Sequence, residues 1–457
     1  MIGKLRTLRL DAKPEPTTPV SRFVADSNWR RFIAFRVLFN ARFYYPVLAV
    51  LFLDFGLSVE QYTLLNFAWA VSIVCLDLPA GALADRIGRR PLVIAAAVCM
   101  VVEMTLIAFA PFGHPSLLFW CFLANRLISG AAEASASGAD EALVFDSLAE
   151  QGRSEEWPHV LDQVMRWQSA GFIVAMLIGG AVYDPAVMQR VADALGLQVH
   201  LTQQVTMRFP LYLNLVTALA TLIVALGLRE PTRHITHSEC PANPLSLIVV
   251  AGRWLLRTPF ALLIIVAGFL HDSVIRLFLT FGSNYYRLIA LPAYVFGFIG
   301  AAMGALGFVV SPLARKLVQK KTFTYNFTLL ALLTFGGLAG VAMHLHYYGV
   351  LFVLPLGIAM YLVNFHVSYY LNSIVKSDHR ATVLSFKGLA FNLGYGGVGL
   401  LFAGLFRLIK AADGFASEDA VFARALFWVP VYFAVSLLVL VPLGWRCKRA
   451  RPVEATE

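Results

Sequence analysis

The stretch Gly81-Ala82-Leu83-Ala84-Asp85-Arg86-Ile87-Gly88-Arg89-Arg90 joins two apolar runs, 61–83 and 91–111, through a short and densely charged turn. Gly81 permits close approach of two helices, and Gly88 permits the dihedrals that a tight reversal needs. Asp85, Arg86, Arg89 and Arg90 keep the turn in water. The run on either side is long enough to cross about 30 Å of hydrocarbon. Asp77, in Leu76-Asp77-Leu78-Pro79-Ala80, lies one turn further inside, placed either to titrate or to pair with the arginines of the turn.

The same pattern fills the chain. Further apolar runs fall at 32–54, 117–145, 162–183, 210–228, 258–285, 294–314, 323–343, 348–372, 381–406 and 421–444, twelve in all. With 59% hydrophobic and 14% charged residues over 457 positions, the chain has too little polar material to cover several soluble surfaces. Lipid is its solvent, and a chain of hydrophobic runs that satisfies its own backbone hydrogen bonds there is an all-α membrane protein.

A net charge of +10 would suit nucleic acid, but most of the 37 Lys and Arg gather on the N-terminal tail, the even-to-odd loops and the C-terminal tail. The positive-inside rule then places both termini in the cytoplasm, excludes a nucleic-acid partner and points to a multi-pass protein of the bacterial inner membrane. Residues 1–31 are polar and lack the apolar core of a signal peptide. The organisation expected is a tail (1–31), a six-helix bundle (32–228), a cytoplasmic linker with an amphipathic segment around Arg253 and Trp254 (229–257), a second six-helix bundle (258–444) and a tail (445–457). The five cysteines form neither a disulfide framework nor a metal set, and His234 and His237 of the linker have no third ligand nearby, so no metal or cofactor is expected.

The Gly81–Arg90 stretch resembles the signature loop of the major facilitator superfamily, a Gly, then Leu-Ala-Asp-Arg, one residue, then Gly-Arg-Arg. The resemblance implies twelve transmembrane helices in two pseudo-symmetric halves, alternating access, a monomer, and a small-molecule substrate. It gives Asp85, Arg86, Arg89 and Arg90 a part in stabilising one access state, with Asp77, Gly81 and Gly88 completing the gating set. The matching loop of the second half, 313–320, has diverged: Arg315 stands where Asp85 would, and Val318 where Gly88 would.

A charge at mid-bilayer is costly, so one that persists faces a cavity or a partner. Arg126, Glu133 and Asp140 recur at every seventh position of span 4, and at 100° per residue seven steps fall about 20° short of two turns, which makes one stripe. Leu123, Arg126, Ser129, Gly130 and Ala134 also resemble the superfamily's span-four motif, which implies a proton-coupling role for Arg126 and makes Glu133 a candidate proton carrier. Span 7 holds His271, Asp272, Ser273 and Arg276, the last able to pair with Asp272 along the helix. The offset relating residues 85 and 315 also relates Arg42 to Asp272, which suggests a charge pair between the halves, so Asp272 joins Arg126, Glu133 and Asp140 as a coupling candidate. Arg42, His271, Arg276, Asn364, Lys387 and Asn392 are the candidate substrate ligands. Glu103 reads as isolated among apolar residues, Arg36 and Arg166 as snorkelling to the cytoplasmic face, and Asp146 and Arg153 as an acid–arginine spacing found in some family members.

Drug:proton antiporters carry Gly-Pro ahead of a Gly pair in span 5. Gly171 and Gly179-Gly180 are present here, but Ala175 and Met176 occupy the Gly-Pro positions. The leading reading is proton-coupled export of a small organic compound, anionic or amphiphilic. Proton-coupled uptake of a nutrient or metal chelate is the alternative, and a receptor or scaffold is the reading outside transport. A lipid-modifying enzyme would need an interfacial catalytic cluster, which the sequence lacks.

Overall fold

The computed structural model describes residues 19–231, 252–375, 377–414, 417–440 and 442–444. His234, His237 and the prolines of the linker, Cys240, Cys447 and the C-terminal tail lie outside the described residues. All regular structure described is helical.

Among the described residues, eleven helices are long and apolar enough to cross a membrane. The remaining expected span, Pro115–Ala136, is a helix too and carries Arg126 and Glu133. We number the spans in chain order: 1 (Pro19–Asn40 continued by Leu48–Asp54), 2 (Val59–Ile87), 3 (Arg89–Ala108), 4 (Pro115–Ala136 continued by Ala139–Ala149), 5 (Trp157–Tyr183), 6 (Phe209–Gly227), 7 (Pro259–Thr280 continued by Gly282–Leu288), 8 (Ala293–Lys320), 9 (Phe323–Ala342), 10 (Val353–Ile374), 11 (Ser377–Asp413) and 12 (Glu418–Leu437). The first helix starts at Pro19, inside the segment read as a tail.

Local chemistry sets the helix ends. Ser58 and Gln61 cap span 2 reciprocally, at 3.2 and 3.0 Å. Pro115, Pro210 and Pro259 stand in first turns, where a missing N–H costs nothing. Gly88, at φ +103°, makes the reversal between spans 2 and 3.

Two contacts join the halves along their length, span 2 against span 11 and span 5 against span 8. Exchanging the halves maps each pair onto the other, as a duplicated unit requires. Small residues set the distance: a Cβ on Gly180 would lie 2.7 Å from the Gly297 nitrogen, so at that point the backbones of spans 5 and 8 touch.

Candidate functional site

Span 1 breaks between Asn40 and Tyr45, and Arg42 sits in the break. Irregular backbone at membrane depth persists only where protein or a cavity surrounds it. Arg42 is 1% exposed. Its Nη1 donates to Glu103 at 2.5 Å, and its Nη2 lies 3.9 Å from Glu133. Glu103, read from sequence as isolated, therefore has a partner one helix away. The Asn125 amide donates to the Glu103 carbonyl at 2.9 Å and ties span 4 to span 3. Glu133 differs from the other two in that its side chain is 35% exposed.

Arg126, two turns before Glu133, is 5% exposed with its guanidinium 4.6 Å over the Phe52 ring. Its Nε and Nη2 are sealed from solvent without a hydrogen-bond partner, and no carboxylate of the described residues pairs with it.

The expected stripe of three ends early. Gly138, left-handed at φ +72°, terminates the helix after Glu133, and Asp140 opens a new one. Asp140 is buried and pairs with Arg36 at 2.8 Å, while Arg36 also binds Glu141. Arg36 thus serves a buried acid instead of snorkelling to water. Arg166 is exposed, paired with Asp162 at 3.0 Å.

In the second half Asp272 is fully buried and salt-bridged to Arg276 at 2.8 Å, and Arg276 also donates to Asn392 at 2.8 Å. The Arg276 guanidinium stands 5.5 Å over Tyr395, whose hydroxyl lies 3.1 Å from Thr280 Oγ1. A narrow crevice lined by Thr63, Asn66, Phe67, Thr280, Tyr395 and Gly396 runs alongside, between the halves. Lys387 is placed with its ammonium 5.4 Å over Phe391. Arg42 and Asp272 are accordingly each neutralised within their own half, not across the axis as their offset suggested.

Two candidates stand apart. His271, one residue from Asp272 and so about 100° around the helix, packs edge-on against Phe433 and Phe327 with Nδ1 2.7 Å from the Ala267 carbonyl. It belongs to the interior of the second half. Asn364 donates to the Met360 carbonyl of its own helix and joins neither cluster.

At the signature turn, Arg89 pairs with Asp146 and donates to the Ala142 carbonyl at 2.7 Å. Arg153 pairs with Glu156 at 2.7 Å. Gly81, Asp77 and Arg86 are exposed, and the side chain of Asp85 lies outside the described residues. The backbone amides of Arg89 and Arg90 donate to the Glu230 carboxylate at 2.9 and 2.6 Å. A side chain on Gly88 would meet that carboxylate at 3.1 Å, so this glycine serves both the turn and the cap.

On the opposite face the halves are latched. Asp54 accepts both nitrogens of Arg287 at 2.7 and 2.8 Å and is also bound by the Tyr183 hydroxyl. Ser283 Oγ accepts the Ala49 and Val50 amides at 3.0 and 3.2 Å. Asp184 caps the helix Pro185–Ala194 through Oδ1 and accepts the Tyr294 amide of span 8 through Oδ2 at 3.2 Å. Tyr62 donates to the Thr280 carbonyl at 2.9 Å. Among the described residues, the hydrogen bonds between the halves all lie on this face. Sequence reasoning missed the latch, although Asp184-Pro185 is a recognisable helix-start signal.

No curated protein matches the sequence. The chain superposes on a mutant of the nucleoside transporter NupG with TM-score 0.70 at 12% identity, over 92% of this chain and 99% of that one. It superposes on a bacterial homologue of the human lysosomal transporter Spinster, inward-facing and unoccupied, with TM-score 0.65 at 16% identity, over 95% and 98%. A D-xylose-proton symporter gives TM-score 0.60 at 12% identity, over 91% and 97%. The sequence profile of the Major Facilitator Superfamily matches residues 32–399, which cover most of the chain and include both charge clusters. With two helical halves meeting along spans 2 and 11 and spans 5 and 8, this chain belongs to the Major Facilitator Superfamily of membrane transporters, and it is not an enzyme.

Proposed function

We propose that this transporter couples the export of a small organic anion or amphiphile to proton movement by alternating access. The observation that carries the reading is the Arg42–Glu103–Glu133 triad, in which one arginine serves two carboxylates and Glu133 alone is partly exposed. Protonating Glu133 removes one of the two negative charges facing Arg42 and alters the balance between access states. Asp272, bound to Arg276, is the counterpart in the second half. Arg276, bound to Asp272 and Asn392, is assigned with Asn392 and Lys387 to the substrate's polar groups. Arg126, a buried cation without a counter-ion among the described residues, supports an anionic substrate group.

The test is flux in proteoliposomes under imposed pH gradients of both signs, with Glu133→Gln and Asp272→Asn made separately. Each variant is expected to lose proton-driven accumulation while keeping exchange of substrate down its own gradient. Full coupling in both variants overturns the proton assignment. A matched panel of carboxylates and their amides tests the anion reading: Arg126→Gln should remove the preference for carboxylates.

The likeness to a D-xylose-proton symporter favours uptake as the second reading. The sign of the gradient that drives accumulation separates the two.

A further inference from the structure

Where spans 1, 3 and 6 meet the face opposite the latch, a cavity of about 500 Å³ is lined by Arg31, Arg90, Arg229, Glu230 and residues 226–228. Its walls are held in place. Asn28, 1% exposed, donates to the Arg229 carbonyl at 2.9 Å and accepts the Arg229 amide at 3.1 Å, pinning the chain where span 6 gives way to the linker. Arg31 donates to the Gly227 carbonyl, and Arg90 Nη2 donates to the Leu226 carbonyl at 3.1 Å.

The acid in the wall makes no direct ion pair with these cations, and against three arginines its single charge leaves the lining net positive. Both oxygens of Glu230 accept backbone amides at the start of span 3, from Arg89 and Arg90. None of Arg31, Arg90 and Arg229 forms an ion pair among the described residues, and Arg90 Nε is buried without a partner. Three arginines therefore line one cavity, and among the described residues the guanidiniums of Arg31 and Arg90 bind only main-chain carbonyls. Beside it in span 1, the Arg30 guanidinium lies 5.5 Å from the Trp29 ring, a residue type that favours the membrane–water interface.

We propose that this cavity binds the phosphate of an anionic phospholipid headgroup. Guanidinium forks match phosphate oxygens in pairs, and basic pockets between helices near the membrane surface suit such headgroups. A phosphate held here bridges spans 1, 3 and 6, so it braces the Gly88–Arg90 turn from behind. The site involves none of the coupling residues, and the proposal stands or falls apart from any substrate.

The experiment uses the purified full chain in neutral detergent, with lipid retention read by native mass spectrometry. The probes are phosphatidylglycerol, phosphatidylcholine and inorganic phosphate. Phosphatidylglycerol is expected to be retained over phosphatidylcholine, and about 30-fold less tightly by Arg31→Gln/Arg229→Gln. Arg229→Gln alone, which breaks no hydrogen bond of the fold described here, should lose roughly fivefold. Arg315→Gln/Lys316→Gln, exposed cations of span 8, should retain it fully. If millimolar phosphate displaces the lipid, the same site takes a soluble phosphate. If phosphate has no effect while the arginine dependence holds, the lipid headgroup is the ligand. Equal retention of the two lipids, or equal loss in the Arg31/Arg229 and Arg315/Lys316 variants, overturns the proposal.

Discussion

Breaking the latch at Asp54 should shift the population of access states. Asp54 ends span 1, and Arg287 follows the break of span 7, so the pair joins opposite halves and exists only while the latched face is closed. The Asp54 side chain is 15% exposed and that of Arg287 41%, which puts the pair between a surface bridge and a buried one. A hydrogen bond to a charged group contributes about 1.5–3 kcal/mol when shielded and a surface pair under about 1 kcal/mol; the bidentate geometry at this intermediate exposure gives about 2 kcal/mol. That is roughly a 30-fold change in the equilibrium between access states. Asp54→Asn keeps the shape and removes the charge. Spin labels at Leu195, just past the helix Pro185–Ala194, and at Tyr348, which opens a 3-10 turn, 69% and 72% exposed in opposite halves, report the separation by double electron–electron resonance. The variant should populate a longer distance that Arg287→Gln also populates, and the double variant should add little to either. A distance distribution for Asp54→Asn indistinguishable from the parent would refute the assignment of the pair as a latch.

Arg42→Ala leaves Glu103 buried and unpaired, and should destabilise the first half by about 3–5 kcal/mol, seen as a lowered melting temperature in detergent. Arg42→Met with Glu103→Leu should recover most of that loss while abolishing proton coupling, since the triad is gone. Asp184→Ala removes caps from two helices in different halves at once, and should cost about 1–2 kcal/mol in stability and also weaken the latch in the distance measurement. Gly180→Val drives a side chain into the Gly297 backbone, and is expected to abolish transport with the chain still inserted in the membrane, as judged by flux and surface labelling.

Much of this protein is readable along the chain because the bilayer imposes one-dimensional rules. An apolar run must be a helix of a certain length, and basic residues choose a side. The turn at Gly88 is local as well, a glycine at positive φ, but its Arg89 pairs with Asp146, which the sequence had set against Arg153. Span 4 is marked along the chain by the charges it carries, Arg126 and Glu133.

Partner choice was not readable, because it depends on which helices become neighbours in three dimensions. Glu103 looked solitary until span 3 was laid against the break of span 1, where Arg42 reaches it. Arg42 and Asp272 are related by the repeat, but each met a closer opposite charge within its own half, and at short range the nearer charge wins. His271 and Asp272 are adjacent in the chain, yet the helix turns them to different surroundings. The latch at Asp54, Tyr183, Asp184, Ser283 and Arg287 draws on residues from several distant segments, each unremarkable alone. Composition and periodicity decide that such a chain folds into membrane-spanning helices; the packing of the two halves decides which charges are neutralised and which, like Arg126, have no counter-ion among the described residues.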